Sequence, residues 1–376
     1  VRMNIEDREE VKLLLDMVNI YSPSGREGRI AKYLYERMSS DFAFEEVKLD
    51  DVGNVIGVYR GKRPAVLLCG HMDTVPGRLP VRLEDGYLLG RGSVDAKGSL
   101  AAMILAAHAL KESGYEGEIV VAAVVDEEGR GSGAKHLARS GMSVDYALFG
   151  EPSGIGQITV GYKGRIQLRV NVEAEGFHAS SPWLGKSAFM HALGIIDGLR
   201  SYVSSESRES MFDSLTMCVT MIQAGVSTNV APPSCSFTLD IRVPPRLRSY
   251  RVVNDLLARV KEYVDSTEHG VNVQVVPEEI TEAFLVDKSN PLVSALSAAI
   301  YRITGRSAQL VRKTGTGDMN ILGFSMSVPA ATYGPGDPKL SHTNHERLDL
   351  EEYLRSIEVL EEALRILYSR HSKQER

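Results

Sequence analysis

Seven apolar or small residues, Ile119 to Val125, run directly into three adjacent carboxylates, Asp126, Glu127 and Glu128. A run of that length reads as a buried strand, and the acids then stand at its carboxyl end, where open α/β sheets place their ligands. Carboxylates at a strand end ordinarily face water, so the junction alone carries little. Its repetition carries more. The strand-like run Ala65 to Cys69 ends in Gly70-His71-Met72-Asp73-Thr74-Val75-Pro76, and a further strand, Tyr146 to Phe149, ends in Gly150-Glu151-Pro152. Between the Ala65 and Ile119 runs, Gly90-Arg91-Gly92-Ser93-Val94-Asp95-Ala96-Lys97-Gly98 opens a helical stretch, Ser99 to Lys111. Three strands of one parallel sheet thus bring His, Asp or Glu to the same edge, where a cation belongs.

With 376 residues, 43% of them hydrophobic, the chain can bury a substantial core, and two domains are expected. Up to about Val160, helical and strand patterns alternate as in a mostly parallel sheet with flanking helices. Helices are expected over Asp7 to Ile20, Arg26 to Ser39 and Ala96 to Lys111. From Gly164 the rhythm changes to strand (Arg165 to Glu173), helix (Ser187 to Val203), strands (Leu215 to Gln223, Ser234 to Arg242), helix (Tyr250 to Ser266) and strand (Val271 to Val276). That βαββαβ order is the ferredoxin-like unit, a complete small domain inserted into the first. After Glu278 come a helix, Pro291 to Thr304, a short strand, Val328 to Thr332, and a long helix from Asp349 to about Ser369. These pieces rejoin the first sheet, so the expected division is 1–162 and 279–376 for the α/β domain and 163–278 for the insert. The charged tail, Ser369 to Arg376, is expected to fray.

Net charge is −6, which argues against a broad basic face for nucleic acid. No apolar stretch approaches the roughly 18 residues of a membrane span. The segment Val1 to Glu10 is charged rather than signal-like, so a soluble cytoplasmic protein is expected. Cys69, Cys218 and Cys235 are widely spaced in apolar or strand contexts and read as buried reduced thiols.

Three motif matches fail on chemistry or spacing. Gly129-Arg130-Gly131-Ser132-Gly133-Ala134 fits a dinucleotide pattern, yet the three carboxylates before it would repel a pyrophosphate. Gly185-Lys186-Ser187 lacks the first glycine of a P-loop, which would fall at Ser180, and the HExxH pattern begun by His345-Glu346 breaks at Asp349. A metal site built from scattered ligands remains. Zn²⁺ takes imidazole and carboxylate, and four carboxylates with two histidines exceed the needs of one ion. Two ions about 3.5 to 4 Å apart, sharing a carboxylate, would use the full set. The second histidine is expected from Ser341-His342-Thr343-Asn344-His345-Glu346; His108, His136, His191 and His269 lack acidic companions and read as surface or core residues.

These stretches, with Gly176-Phe177-His178-Ala179-Ser180 and Asn229-Val230-Ala231-Pro232, span nearly the whole chain in the order found in the M20 metallopeptidases. The sequence resembles that family, which includes acetylornithine deacetylase, succinyl-diaminopimelate desuccinylase, aminoacylase and the glutamate-releasing carboxypeptidase. The resemblance implies an α/β catalytic domain with an inserted ferredoxin-like lid that forms a homodimer. It implies two divalent ions, Zn²⁺ or alternatively Co²⁺, one held by His71, Asp95 and Glu151 and the other by Asp95, Glu128 and His342. Asp73 would bond the second ring nitrogen of His71 and fix its tautomer. Glu127 would be the general base, taking a proton from the attacking water and giving it to the leaving amine. A cis peptide is implied between Asp95 and Ala96. His178 would reach the partner subunit's active site and stabilise the oxyanion. Asn229, Arg242 and Thr316 match substrate-binding positions, and Arg suits a bidentate carboxylate contact. Asp126 receives no role.

Within the family, desuccinylases carry an arginine shortly after the last catalytic motif, where this chain has Lys313-Thr314-Gly315-Thr316-Gly317-Asp318-Met319-Asn320. Asn320 cannot form the same charged clamp. That string, the compact length and Val94-Asp95-Ala96-Lys97-Gly98 are most similar to the branch that frees lysine or ornithine from the C-terminal glutamate side chain of a small acidic amino-group carrier protein, in lysine and arginine biosynthesis. An acidic carrier would require a local basic rim, for which Arg26, Arg78, Lys163, Arg165, Arg312 and Lys313 are candidates. The alternatives are a deacylase of free N-acetylornithine or succinyl-diaminopimelate type, an aminoacylase or dipeptidase, and a peptide-binding relative without catalysis. The last should have lost its base or a ligand, and Glu127 and all five ligand positions are present.

Overall fold

A computed structural model describes residues 5–267, 270–287 and 289–374. The chain forms two compact units, one of residues 1–160, 286–311 and 317–376, the other of 161–285 and 312–316.

The first unit is built on one sheet. Its strands run in the order Glu46–Leu49, Val55–Tyr59, Gly117–Val124, Lys62–His71, Tyr146–Gly150, Ala330–Thr332 and Gln157–Tyr162. The middle pairings are parallel and the outer ones antiparallel, so the two runs that end in His71 and in the triple acid are direct neighbours. Apolar residues cover both faces of these central strands: Val66, Leu67, Val121 and Ala122 are fully buried. The helix Gly98–Glu112 is buried along most of its length. Its approach explains two glycines. A Cβ on Gly70 would lie 3.3 Å from Leu100 Cβ, and one on Gly150 would lie 3.0 Å from Met103 Sδ. The residue before His71 and the residue before Glu151 are therefore small because the helix that follows Asp95 presses on both strands.

Three sequence expectations change here. The helix expected from Ala96 begins at Gly98; Ser93–Lys97 is a separate tight turn in which Asp95 and Ala96 have non-helical backbone angles. The tail expected to fray from Ser369 stays helical in Leu350–Gln374, because Arg370 Nη1 donates to Ser294 Oγ at 2.9 Å and His371 packs edge-on against Tyr146. Cys69 and Cys235 are buried as expected, but Cys218 is exposed, since its strand lies at a sheet edge.

The second unit has the expected βαββαβ order. Its four strands lie as Thr216–Ala224, Ser234–Val243, Gly164–Ala174 and Val271–Thr281, all antiparallel. Alternate residues of Gly164–Ala174, namely Ile166, Leu168, Val170 and Val172, point into a core shared with the helices Ala188–Ser205 and Ser249–Asp265. Ser187 Oγ caps the first of these by accepting from Met190 N at 3.3 Å. The last strand runs past Val276 to Thr281, and Phe284–Leu285 pairs with Gly161 and Tyr162. Among the described residues no helix is long and apolar enough to cross a membrane.

Candidate metal centre

The triple acid is a turn whose three members point three ways. Asp126 takes a positive φ of 60°, its N–H donates to Glu27 Oε1 at 3.1 Å, and its carbonyl accepts from Gly131 N at 2.7 Å. It closes the loop, a role that its sequence neighbours did not signal. The Asp73 carboxylate holds the other two by their backbone, with Oδ1 accepting from Glu127 N at 3.0 Å and Oδ2 from Glu128 N at 3.1 Å. Ser24 Oγ donates to the same Oδ2 at 2.7 Å. The expected Asp73 to His71 contact differs in detail: His71 Nδ1 donates to the main-chain oxygen of Asp73 at 3.0 Å, while the carboxylate lies at 3.5 Å. Either contact leaves Nε2 facing the cleft.

Five donors converge there. His71 Nε2 lies 3.3 Å from Asp95 Oδ1 and 3.6 Å from Glu151 Oε1. His342 Nε2 lies 3.3 Å from Asp95 Oδ2 and 2.8 Å from Glu128 Oε1. A tetrahedral ion with ligands at 2.0 to 2.2 Å separates them by roughly 3.4 Å, so three of these four spacings suit such an ion. The shorter one is a hydrogen bond. Asp95 offers one oxygen to each histidine, the arrangement of a bridging carboxylate. Glu127 and Glu128 also lie with His71 within a 4.8 Å group, so the base candidate borders the same donors. The Asp95–Ala96 peptide is cis, as the resemblance implies.

Charge and burial act strongly on these groups. Burial alone would raise the Asp95 carboxyl, but hydrogen bonds from His342 and His71 outweigh it and hold the group below the ordinary range. Hydrogen bonds to Asp95 and Glu128 push His342 up to about 10. Burial works against a charged His71, yet the Asp73 and Asp95 carboxylates raise it. Burial and then the Glu151 carboxylate lift Glu127 well above an ordinary glutamate. Histidines raised by neighbouring carboxylates mark a cluster whose negative charge divalent cations would offset.

Sequence reading missed Asp318, which is buried in the same region and raised to about 7 by that burial. A side chain on its neighbour Gly317 would touch Glu127 Oε1 at 3.6 Å and Glu151 Oε1 at 4.0 Å. Asn320 is not free for substrate: it is buried and its Oδ1 accepts from Gly317 N at 3.0 Å.

The remaining candidates belong to the second unit. His178 is exposed on a short ribbon in which it pairs with Val230, and Ala179 N donates to Asn229 O at 2.9 Å, so His178 and Asn229 are neighbours. Arg242 is clamped by Asp240, with Nε at 2.6 Å and Nη2 at 3.2 Å, leaving Nη1 directed at Thr316 Oγ1, 3.5 Å away. Two members of the expected basic rim are otherwise engaged. Lys163 is fully buried, donating to the carbonyl of Met211 at 3.1 Å, and Arg165 pairs with Asp240 and Glu279. Arg26, Arg78 and Arg312 are exposed. Of the histidines set aside, His108 meets Tyr59 and His191 is buried against Tyr263. His136 does have an acidic neighbour, Asp50 at 3.7 Å, and His269 lies outside the described residues.

This fold, with these donors at one sheet edge, defines a known class: the chain belongs to Peptidase family M20/M25/M40, whose pattern matches residues 67–366. A tripeptidase from Staphylococcus aureus shares the fold, with a TM-score of 0.82 at 22% identity over 98% of this chain and 100% of that one. Two more particular likenesses follow. A chain from Deinococcus radiodurans named LysW-lysine hydrolase is 36% identical, covering 94% of this chain and 95% of that one. One from Pyrococcus furiosus, provisionally named LysW-lysine/LysW-ornithine hydrolase, is 36% identical over 96% of this chain and 98% of its own length.

Proposed function

We propose that this chain is a two-metal amidohydrolase that releases lysine or ornithine from the C-terminal glutamate side chain of a LysW-type amino-group carrier protein. The observation that carries the chemistry is Asp95, which presents Oδ1 to His71 and Oδ2 to His342, each at 3.3 Å. The names of the relatives support the substrate. His71, Asp95 and Glu151 would hold one ion, and Asp95, Glu128 and His342 the other. Mixed nitrogen and oxygen donors suit Zn²⁺, with Co²⁺ as the alternative. When bound, such a pair of cations polarises the amide carbonyl and makes water more acidic.

Glu127 takes the proton of the attacking water as the C–O bond forms, then delivers it to the amide nitrogen as the C–N bond breaks, so lysine leaves as a free amine. Arg242, steadied by Asp240, would bind the free carboxylate of the lysine moiety through Nη1, with Thr316 and Asn229 completing the contacts. His178 would donate to the oxyanion across a homodimer formed by the inserted unit. The edge strand Thr216–Ala224 supports that surface: it pairs on one side only among the described residues, and Met221 and Ile222 are exposed on it.

The test offers purified enzyme carrier-linked lysine and N-acetylornithine and compares kcat/KM. The carrier conjugate should be preferred by orders of magnitude; efficient cleavage of N-acetylornithine with the conjugate left intact would replace this reading by that of a small-molecule deacylase.

A further inference from the structure

We infer that Glu346 is a positioning residue that sets the bridging carboxylate of Asp95, an inference that rests on reading Asp95 as a metal ligand. Glu346 is 2% exposed and contributes no donor to the candidate centre, yet its side chain gathers the backbone that leads to it. Oε1 accepts from Gly92 N at 2.9 Å, Val94 N at 3.1 Å and Asp95 N at 3.1 Å. Oε2 accepts from Arg91 Nη1 at 2.8 Å, and the Glu346 carbonyl accepts from Gly90 N at 3.3 Å. A stretch more than 250 residues away in sequence is thus folded around one carboxylate.

The need for it lies in the turn. Asp95 (φ −119°, ψ 97°) and Ala96 (φ −130°, ψ 35°) depart from helical angles just before the helix Gly98–Glu112, so the N–H groups of Gly92, Val94 and Asp95 turn to a side-chain acceptor. Buried N–H groups require an acceptor. An ionised carboxylate can take several at once, and the buried Arg91 guanidinium balances its charge. Glu346 also lies four residues after His342 on the same short segment. That segment therefore supplies one metal donor directly and fixes the backbone of a second, which sets the 3.3 Å spacing of Asp95 Oδ2 and His342 Nε2.

Glu346→Gln keeps one acceptor but turns an amide N–H₂ toward Arg91; Glu346→Asp keeps the charge but falls one methylene short of the three N–H groups. The experiment strips the full-length protein of metal and titrates Zn²⁺ against a chromophoric chelator, far below the unfolding temperature. Wild type should bind two ions. Either variant that keeps the wild-type circular dichroism spectrum should bind Zn²⁺ about 10 to 100 times more weakly, as is usual when a partner of a ligand is lost. At saturating Zn²⁺, kcat should fall with KM little changed. Wild-type Zn²⁺ affinity in a folded variant overturns the inference, as does failure of both variants to fold, which would make Glu346 a general structural residue. If wild type itself binds no ion, the metal reading fails instead.

Discussion

Single residues carry the chemistry here through partners far along the chain. Glu127 and Glu128 are adjacent, but Asp73 holds their N–H groups on different oxygens, and only Glu128 contacts His342. Glu127→Gln should therefore keep zinc content near that of wild type while kcat falls about 10²- to 10⁴-fold, the usual worth of a general base. Metal analysis beside steady-state kinetics checks this, and retained activity would remove Glu127 from the reaction. Lys97 gives a second prediction. Its buried Nζ donates to the carbonyls of Met17 at 3.0 Å and Ile20 at 2.7 Å, at the carboxyl end of the helix Glu9–Asn19, where a cation is favoured. Burial nonetheless depresses it from 10.5 to about 7. Below that value both folded and unfolded chains hold the proton. Between about 7 and 10.5 the unfolded chain holds one that the folded chain has lost, so this residue's contribution to stability rises with pH across that window. Urea denaturation at pH 7 and pH 9 should show wild type gaining on Lys97→Met; parallel values at the two pH values would refute the depressed state. Of the proposed metal donors, His71 and Glu151 were legible as the residues that follow a glycine at the end of a buried strand, Gly70 and Gly150. Asp126, Lys97 and Glu346 were not, because their partners lie 99, about 80 and about 250 residues away.

At the level of elements, the candidate site depends on how strand ends are tied down. The strand Gly117–Val124 ends against the short helix Ser132–Ala138, and Asn54 ties the two together, accepting from Val125 N at 3.0 Å and donating to Gly133 O at 3.1 Å. A Cβ on Gly133 would stand 2.5 Å from Val125 O and from Asn54 Oδ1. Since the obstacle is backbone, Gly133→Ala should destabilise the protein by about 1 to 3 kcal/mol. It should also weaken zinc binding, because Val125 leads directly into the Asp126 turn. A thermal melt and a zinc titration measure the two effects; an unchanged melt would mean that the helix moves away freely. The strands themselves were readable as uninterrupted apolar runs, since a strand buried on both faces has no other composition. Boundaries were less so. Val271–Thr281 reads as ending at Val276 because Pro277 and two glutamates follow, and the register shift between Pro277 and Glu279 shows a bulge carrying the strand past them. The start of the helix after Asp95 was misplaced because Asp95 and Ala96 have non-helical backbone angles, with the Asp95 N–H donating to the distant Glu346 carboxylate, which no local pattern reveals.

For the whole molecule, the proposed reaction would draw its groups from two chains. Glu127 and the proposed metal donors belong to the first unit, whereas His178 and Asn229 share an exposed ribbon of the second. If His178 serves the partner's site, two inactive proteins should complement each other. Glu127→Gln retains His178, and His178→Ala retains Glu127, so a mixed dimer contains one site with both groups and one with neither. After subunit exchange at equal concentrations, half the dimers are mixed and each has one complete site, so activity should recover to about a quarter of wild type. Each variant alone should stay near background, with His178→Ala losing kcat far more than it raises KM. Recovery must track the mixed dimer, separated by an affinity tag on one variant. A mixed dimer no more active than its parents would confine His178 to its own subunit or to no catalytic part. A protein that sediments as a monomer at assay concentration while fully active would remove the cross-subunit contact altogether, because a residue of one chain cannot then complete the site of another.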